Sequence, residues 1–237
     1  AFREKPSDPT GLADSPTEIP ASMGNYIFLV PAMIEALHHD ANNTSSRHDM
    51  GGDIVPYFVE RGTAAVYDFI NNTVPGSTER DRDYWRDVGT IDAFYEANRD
   101  LISVTPVFNL YNGHWPLYTG YTGLPPSKFV HQGPDRTGYA ADSLVSPGVI
   151  VSGASVAGSV ISPGCYLHSW SQITDSVLMD DVIVGRHARI HRAIIDKGVI
   201  IPEGASIGLN AEADRARGFT VTESGITVVP KGTIVEN

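Results

Sequence analysis

Residues 144–207 read LVSPGVIVSGASVAGSVISPGCYLHSWSQITDSVLMDDVIVGRHARIHRAIIDKGVIIPEGASI, and their aliphatic residues keep a fixed beat. Leu144, Ile150 and Val156 are followed by Ile161, Leu167 and Ile173, then by Leu178, Val184 and Ile190, then by Ile195, Ile201 and Ile207. The steps are six and six within a triplet and five between triplets, so the repeat is 17 residues long and every position is Leu, Ile or Val. No α-helix has that period. A solenoid of three short strands per coil does, because each side of a coil sends one aliphatic residue inward. Gly and Pro fall between these positions, at Pro147-Gly148, Gly153, Pro163-Gly164, Gly185 and Pro202-Glu203-Gly204, where corners need tight turns. Val228 to Ile234 is a shorter echo, read as a partial coil after an interruption at residues 208–220. Strands of a β-sandwich recur irregularly, about every 8–12 residues, so the strict repeat predicts a parallel β-helix over 143–237.

Upstream the grammar changes. Residues 104–142 lose periodicity, and Pro106, Pro116, Pro125, Pro126 and Pro134 lie among Gly, Tyr and Trp, which reads as a linker packed against the domains. Residues 1–103 mix short segments in the manner of an α/β domain. Met23–Val30 and Ala64–Ile70 have strand length. Pro31–His39 and Asp53–Arg61 carry helical faces, the second closed by Gly62. Thr90 is an N-cap for a helix from Ile91 to about Leu101, with Ile91, Phe94, Tyr95 and Leu101 on its apolar side.

The 237 residues carry 17 basic and 28 acidic side chains, a net charge of −11. Nucleic-acid and anionic-membrane binding depend on summed Lys and Arg contacts to phosphates, so this balance argues against both. A single Cys excludes a disulfide framework and a cysteine-based zinc site, and no apolar run reaches the ~18–20 residues that span a bilayer. These features predict a cytoplasmic protein. The opening Ala1-Phe2-Arg3-Glu4-Lys5-Pro6 has no Met and reads as the interior of a longer protein. Residues 1–133 hold 9 basic and 17 acidic groups, and the remainder hold 8 and 11, so the negative charge is concentrated upstream.

Three features offer chemistry. Glu4-Lys5-Pro6 presents a carboxylate beside an ammonium; Lys can neutralise a phosphate and Glu can accept from sugar hydroxyls, although such a dipeptide is commonly only a surface pair. Asp87 precedes Val88-Gly89-Thr90 just before a helix start, a position suited to Mg2+ or to helix capping. The run from Arg186 through His187, Arg189, His191 and Arg192 to Lys197 gathers cations on an acidic chain, as a phosphate-sized anion site, a subunit contact or a solvated face. The His residues lack a metal-ligand spacing, and Cys165 at a corner reads as packing.

Taken in order, Phe2 to Pro6, Ala21-Ser22-Met23-Gly24-Asn25-Tyr26-Ile27-Phe28, His48-Asp49-Met50-Gly51-Gly52-Asp53-Ile54-Val55-Pro56, Tyr84-Trp85-Arg86-Asp87-Val88-Gly89-Thr90, Pro125-Pro126-Ser127-Lys128-Phe129 and the hexapeptide repeats closely resemble bacterial glucose-1-phosphate adenylyltransferases throughout the chain. The resemblance implies an incomplete Rossmann-like nucleotidyltransferase domain followed by a left-handed parallel β-helix. It also implies transfer of AMP from ATP to glucose 1-phosphate, giving ADP-glucose and pyrophosphate for glycogen synthesis, by a homotetramer. Lys5 would hold the sugar phosphate and Glu4 the glucose hydroxyls; Ser22 and Gly24 would line the sugar pocket; Asp87 would be one of two carboxylates on Mg2+. Arg186, Arg189, Arg192, Arg215 and Arg217 would fall where small phosphorylated effectors bind. The family's glycine-rich nucleotide loop and second metal carboxylate have no counterpart in this sequence, so the chain alone is expected to be inactive. Two alternatives stand beside this reading: a non-catalytic regulatory subunit of the same family, and a hexapeptide-repeat acyltransferase using His168, His187 or His191.

Overall fold

The computed structural model describes residues 2, 7–8, 11–12, 15–120 and 123–236. The chain divides into two compact units, Ala1–Phe69 and Ile70–Asn237. The expected boundary at residue 103 is therefore displaced, because the helix before it packs with the β-helix.

In the first unit, helix α1 (Val30–Ala41) starts with Pro31 in its first turn, where a missing N–H costs nothing. A π-helical turn (Met50–Ile54) leads into helix α2 (Val55–Glu60). Gly62 closes α2 at φ +66, a left-handed conformation that favours glycine. Ala36, Ile54, Tyr57 and Phe58 form the core, with Phe28, Ala32 and Met33 packed against it. The two strand expectations fail: Met23–Leu29 is irregular, and Ala64–Ile70 is irregular ending in a 3-10 turn. A strand exists only where a neighbour receives its N–H and C=O groups, and the described residues of this unit contain no strand.

The second unit is the β-helix. One face stacks Lys128–Val130, Ile150–Ser152, Tyr166–Leu167, Ile183–Val184 and Ile200–Ile201; a second runs from Tyr139–Ala141 to Ser206–Ile207; a third runs from Leu144–Val145 to Thr227–Val229. Neighbours within these stacks are parallel, and Thr220–Val221 adds one antiparallel strand to the third. Ile173 lies between Val156 and Ile190, Leu178 between Ile161 and Ile195, and Val184 between Leu167 and Ile201. These inward side chains are essentially solvent-free. Each such burial stabilises by about 1.5–3 kcal/mol.

Two details correct the sequence reading. The ladder begins at Lys128, within the stretch expected to be linker, because Lys128 to Val130 pair with Ile150 to Ser152. In the first coil Val145 and Val151, not Leu144 and Ile150, share register with Ile161 and Leu167. The cause is a shorter corner: Ser152 is followed by only Gly153-Ala154 before the next strand, whereas His168, which occupies the same place one coil on, is followed by Ser169-Trp170-Ser171.

A serine ladder closes another corner. Ser143 Oγ accepts from Ser159 N, Ser159 Oγ from Ser176 N, and Ser176 Oγ from Ala193 N, at 3.0, 3.1 and 3.1 Å. Each hydroxyl satisfies a backbone N–H of the following coil. Upstream of the coils lies helix α3 (Ile91–Asp100), and the interruption at 208–220 holds helix α4 (Ala211–Ala216). In α3, Thr90 Oγ1 caps by accepting from Ala93 N, and buried Tyr95 packs with Val177, Ile194 and Ile226 while its hydroxyl donates to Asp175 O. Arg99 pairs with Asp175 at 2.8 Å. Within α4, Asp214, 1% exposed, accepts from Gly208 N, Thr227 Oγ1 and Arg217 Nη2, tying the insertion to the last coil.

Two stability outcomes follow from this packing and are checked by calorimetric or chemical unfolding. Leu167→Ala should cost about 3 kcal/mol, since the coil stack cannot collapse around the lost volume. Asp214→Ala should cost a similar amount, about 3 kcal/mol, by leaving Arg217 and two further donors without their acceptor, and Asp214→Asn should cost less.

Candidate functional site

The first unit carries a cleft of about 580 Å³ lined by Ser22, Gly24, Tyr26, Phe28, Met33, Asp49, Met50 and Gly51. Its two rims are local constructions. On one, Ser22 Oγ accepts from Gly24 N at 3.2 Å and lies 2.7 Å from Tyr26 Oη, with Gly24 at φ +75. The left-handed backbone requires glycine there, and the space beside it is open. On the other, Asp49 Oδ1 accepts from Gly52 N at 2.6 Å while Asp53 Oδ2 accepts from Asp49 N at 3.0 Å, a reciprocal cap on the π-helical turn. Arg47 stands over Gly52, where a Cβ would come within 2.6 Å of its Nη2.

This second rim is held from behind by α1. Asp40 accepts from Ser46 Oγ and pairs with His48 Nδ1 at 2.7 Å. The Ser46 and His48 hydrogen bonds hold the Asp40 carboxyl below the usual carboxylate value. The cleft therefore combines the hydroxyls of Ser22 and Tyr26 and the Asp49 carboxylate with the apolar side chains of Phe28, Met33 and Met50. That combination suits a sugar, which presents both hydroxyl edges and apolar ring faces.

Asp87 lies in the second unit, where it is exposed and its Oδ1 accepts from Gly89 N at 3.0 Å. Thr90, not Asp87, caps α3. Among the described residues no three His, Cys, Asp or Glu side chains gather as they would around a metal ion. Asp87 therefore stands as a single exposed carboxylate, and a carboxylate oxygen is the type of hard ligand that Mg2+ accepts.

Residues 1–104 match the family model for nucleotidyl transferases, and residues 125–229 match that for the GlmU-like C-terminal hexapeptide region. Glucose-1-phosphate adenylyltransferase of Bifidobacterium longum strain DJO10A is 57% identical over 236 residues, covering 100% of this chain and 57% of that protein. Its counterpart in Arthrobacter sp. strain FB24 is 59% identical over 235 residues, covering 99% of this chain and 50% of that protein. The chain is thus similar to glucose-1-phosphate adenylyltransferases along its whole length. It spans about half the length of the curated relatives it matches.

The expected site residues distribute unevenly. Ser22 and Gly24 share the cleft. Glu4 and Lys5 lie outside the described residues. The five arginines do not converge on a single anion. Arg217 is engaged by Asp214 and Ser206 O, both at 2.6 Å. Arg192 donates to Ser224 O and lies over Tyr95, while Arg189 reaches Ser206 Oγ at 3.5 Å. Arg186 sits at the opposite end of the strand Arg189–His191 from Arg192, so stacking parts the two. Arg215 is exposed on α4. His168 lies tilted against Tyr166, His187 stacks with Trp170, and His191 bonds Thr174. Cys165 is buried, and burial pushes its thiol up to about 12, as packing requires and nucleophilic catalysis does not. No helix among the described residues is long and apolar enough to cross a membrane.

Sequence reading did not select Tyr26, Asp49 or Asp40 for the cleft; the signal available was the Asp49-x-x-Gly52 capping pattern before an apolar run. Asp40→Asn should loosen this rim, seen as faster amide exchange at Gly52. Because the folded Asp40 titrates below its ordinary value of 3.8, its stabilisation is complete above that value. It is lost as pH falls through the lower folded value, and a pH scan of exchange should show this loss in the parent but not in the Asn variant.

Proposed function

We propose that the chain is part of an enzyme that transfers AMP from ATP to glucose 1-phosphate, forming ADP-glucose and pyrophosphate for glycogen (α-glucan) biosynthesis. The observation that carries this reading is end-to-end similarity: 57% identity to an adenylyltransferase across all of the chain, with both halves of the architecture in the same order. The cleft supports it with hydroxyl and carboxylate groups matched to a hexose.

In this reading, a phosphate oxygen of glucose 1-phosphate attacks the α-phosphorus of ATP. The bond from that phosphorus to the bridging oxygen breaks, and pyrophosphate leaves with the bonding pair. Ser22 and the Gly24 backbone orient the sugar; Glu4 accepts from its hydroxyls; Lys5 neutralises its phosphate. Asp87 supplies a carboxylate oxygen for Mg2+, which when bound would neutralise phosphate charge. These residues act by position and charge, the terms that dominate phosphoryl transfer. Assembly as a homotetramer and control by small phosphorylated effectors belong to the same proposal.

The test measures pyrophosphate release from ATP and glucose 1-phosphate by the full-length gene product. Lys5→Ala should raise KM for glucose 1-phosphate at least about tenfold, the loss expected of a charge-assisted hydrogen bond, with a much smaller effect on KM for ATP. Equal effects on both substrates would remove Lys5 from the sugar-phosphate role. Asp87→Asn should lower kcat and shift the Mg2+ dependence, and an unchanged dependence would reduce Asp87 to its turn with Gly89. Absence of any pyrophosphate release would favour a non-catalytic subunit.

A further inference from the structure

In the last turn of α1, Asp40 sets a carboxylate, only 12% exposed, against the loop that follows. An acid there opposes the helix dipole, so α1 itself gains nothing from it. Its partners lie in the loop. Ser46 Oγ donates to Oδ1, and His48 Nδ1 lies 2.7 Å from Oδ2; because an ionised carboxylate only accepts, that ring nitrogen carries the proton. The His48 amide donates to Ser46 Oγ at 2.9 Å. One carboxylate thus grips His48 twice, by its ring directly and by its backbone through a serine hydroxyl.

His48 needs that grip for its conformation. Its φ is +57, a left-handed value that a β-carbon disfavours and that persists only where the surroundings impose it. Packing does not impose it, since the His48 side chain is 61% exposed. The next residue is Asp49, extended at φ −100 and ψ 135, whose carboxylate lines the cleft. The bend at His48 therefore sets the direction from which Asp49 enters the π-helical turn. Gly52 N donates to Asp49 Oδ1, while Oδ2 receives no hydrogen bond from a described residue and is left for a hydroxyl.

We propose that Asp40 and His48 are positioning residues for glucose 1-phosphate binding: Asp40 holds His48 left-handed, and the resulting bend aims the Asp49 carboxylate at the sugar. This assignment rests on the adenylyltransferase reading, to which it adds a pair that lies behind the cleft wall and touches no substrate. A displaced Asp49 weakens binding of the sugar and leaves the nucleotide untouched.

The test measures pyrophosphate release by the full-length gene product and its variants at saturating and limiting levels of each substrate. Asp40→Asn should raise KM for glucose 1-phosphate at least about fivefold, with KM for ATP and kcat within about twofold of the parent. His48→Ala, which alters an exposed ring, should do the same and carries the test if Asp40→Asn protein does not fold. Glycine adopts the left-handed bend without help, so Asp40→Asn combined with His48→Gly should recover at least about half of the lost affinity on a logarithmic scale. In an Asp49→Ala background, Asp40→Asn should add less than about twofold, because the group it positions is gone. A KM that rises equally for both substrates, a fall confined to kcat, no recovery with His48→Gly, or an undiminished effect in the Asp49→Ala background would overturn the positioning role. An active parent distinguishes those outcomes from failure of the adenylyltransferase reading, whereas an inactive parent would sink that reading and this assignment together.

Discussion

The parallel stacking of coils through residues such as Val156, Ile173, Ile190 and Ile207 is the constraint on which the second unit depends. A side chain in that stack touches the coil before and the coil after, so its size and branching must suit both neighbours at once. Corner chemistry follows from the same demand. Turning the chain without unpaired backbone groups requires left-handed residues at the bends, as at Asp175, and the hydroxyls of Ser143, Ser159 and Ser176 to receive the amides that the bends leave over. α3 is then docked onto a rigid surface, through Tyr95 and Arg99, immediately downstream of Asp87.

That constraint explains what was legible in the sequence. An aliphatic beat of 17 residues has one economical structural solution, and α3 could be read from Thr90 and an apolar stripe because capping and amphipathicity are local. The phase of the first coil was harder. Leu144 and Val145 are both aliphatic, as are Ile150 and Val151, and composition cannot choose between adjacent residues when one corner is a residue shorter. The strand expectations in the first unit rested on apolar runs, but strand formation also needs a partner in space. Ile27 and Leu29 instead remain exposed on irregular chain.

The site shows the same division between local and distant information. The short-range turns around Ser22-Gly24 and Asp49-Gly52 follow from neighbouring residues, so the motifs that suggest a sugar pocket also build its rims. The arginine run lost its apparent unity because closeness in sequence sends successive side chains to different sides and corners of a coil. Conversely, Arg136 and Arg186 are far apart in sequence and meet at one indole. Only the stacking register reveals that relation.

The contact between Arg217 and Ser206 bears on how the edge of a sheet is finished. Ser206–Ile207 is the last strand of its sheet, and an outermost strand offers unpaired carbonyls on which another chain can extend the ladder. Arg217 occupies the Ser206 carbonyl with its guanidinium, and Asp214 fixes that guanidinium from the insertion that interrupts the repeat. The break in the 17-residue rhythm therefore also finishes this sheet: the segment that spoils the repeat fills an acceptor that one further coil would have used.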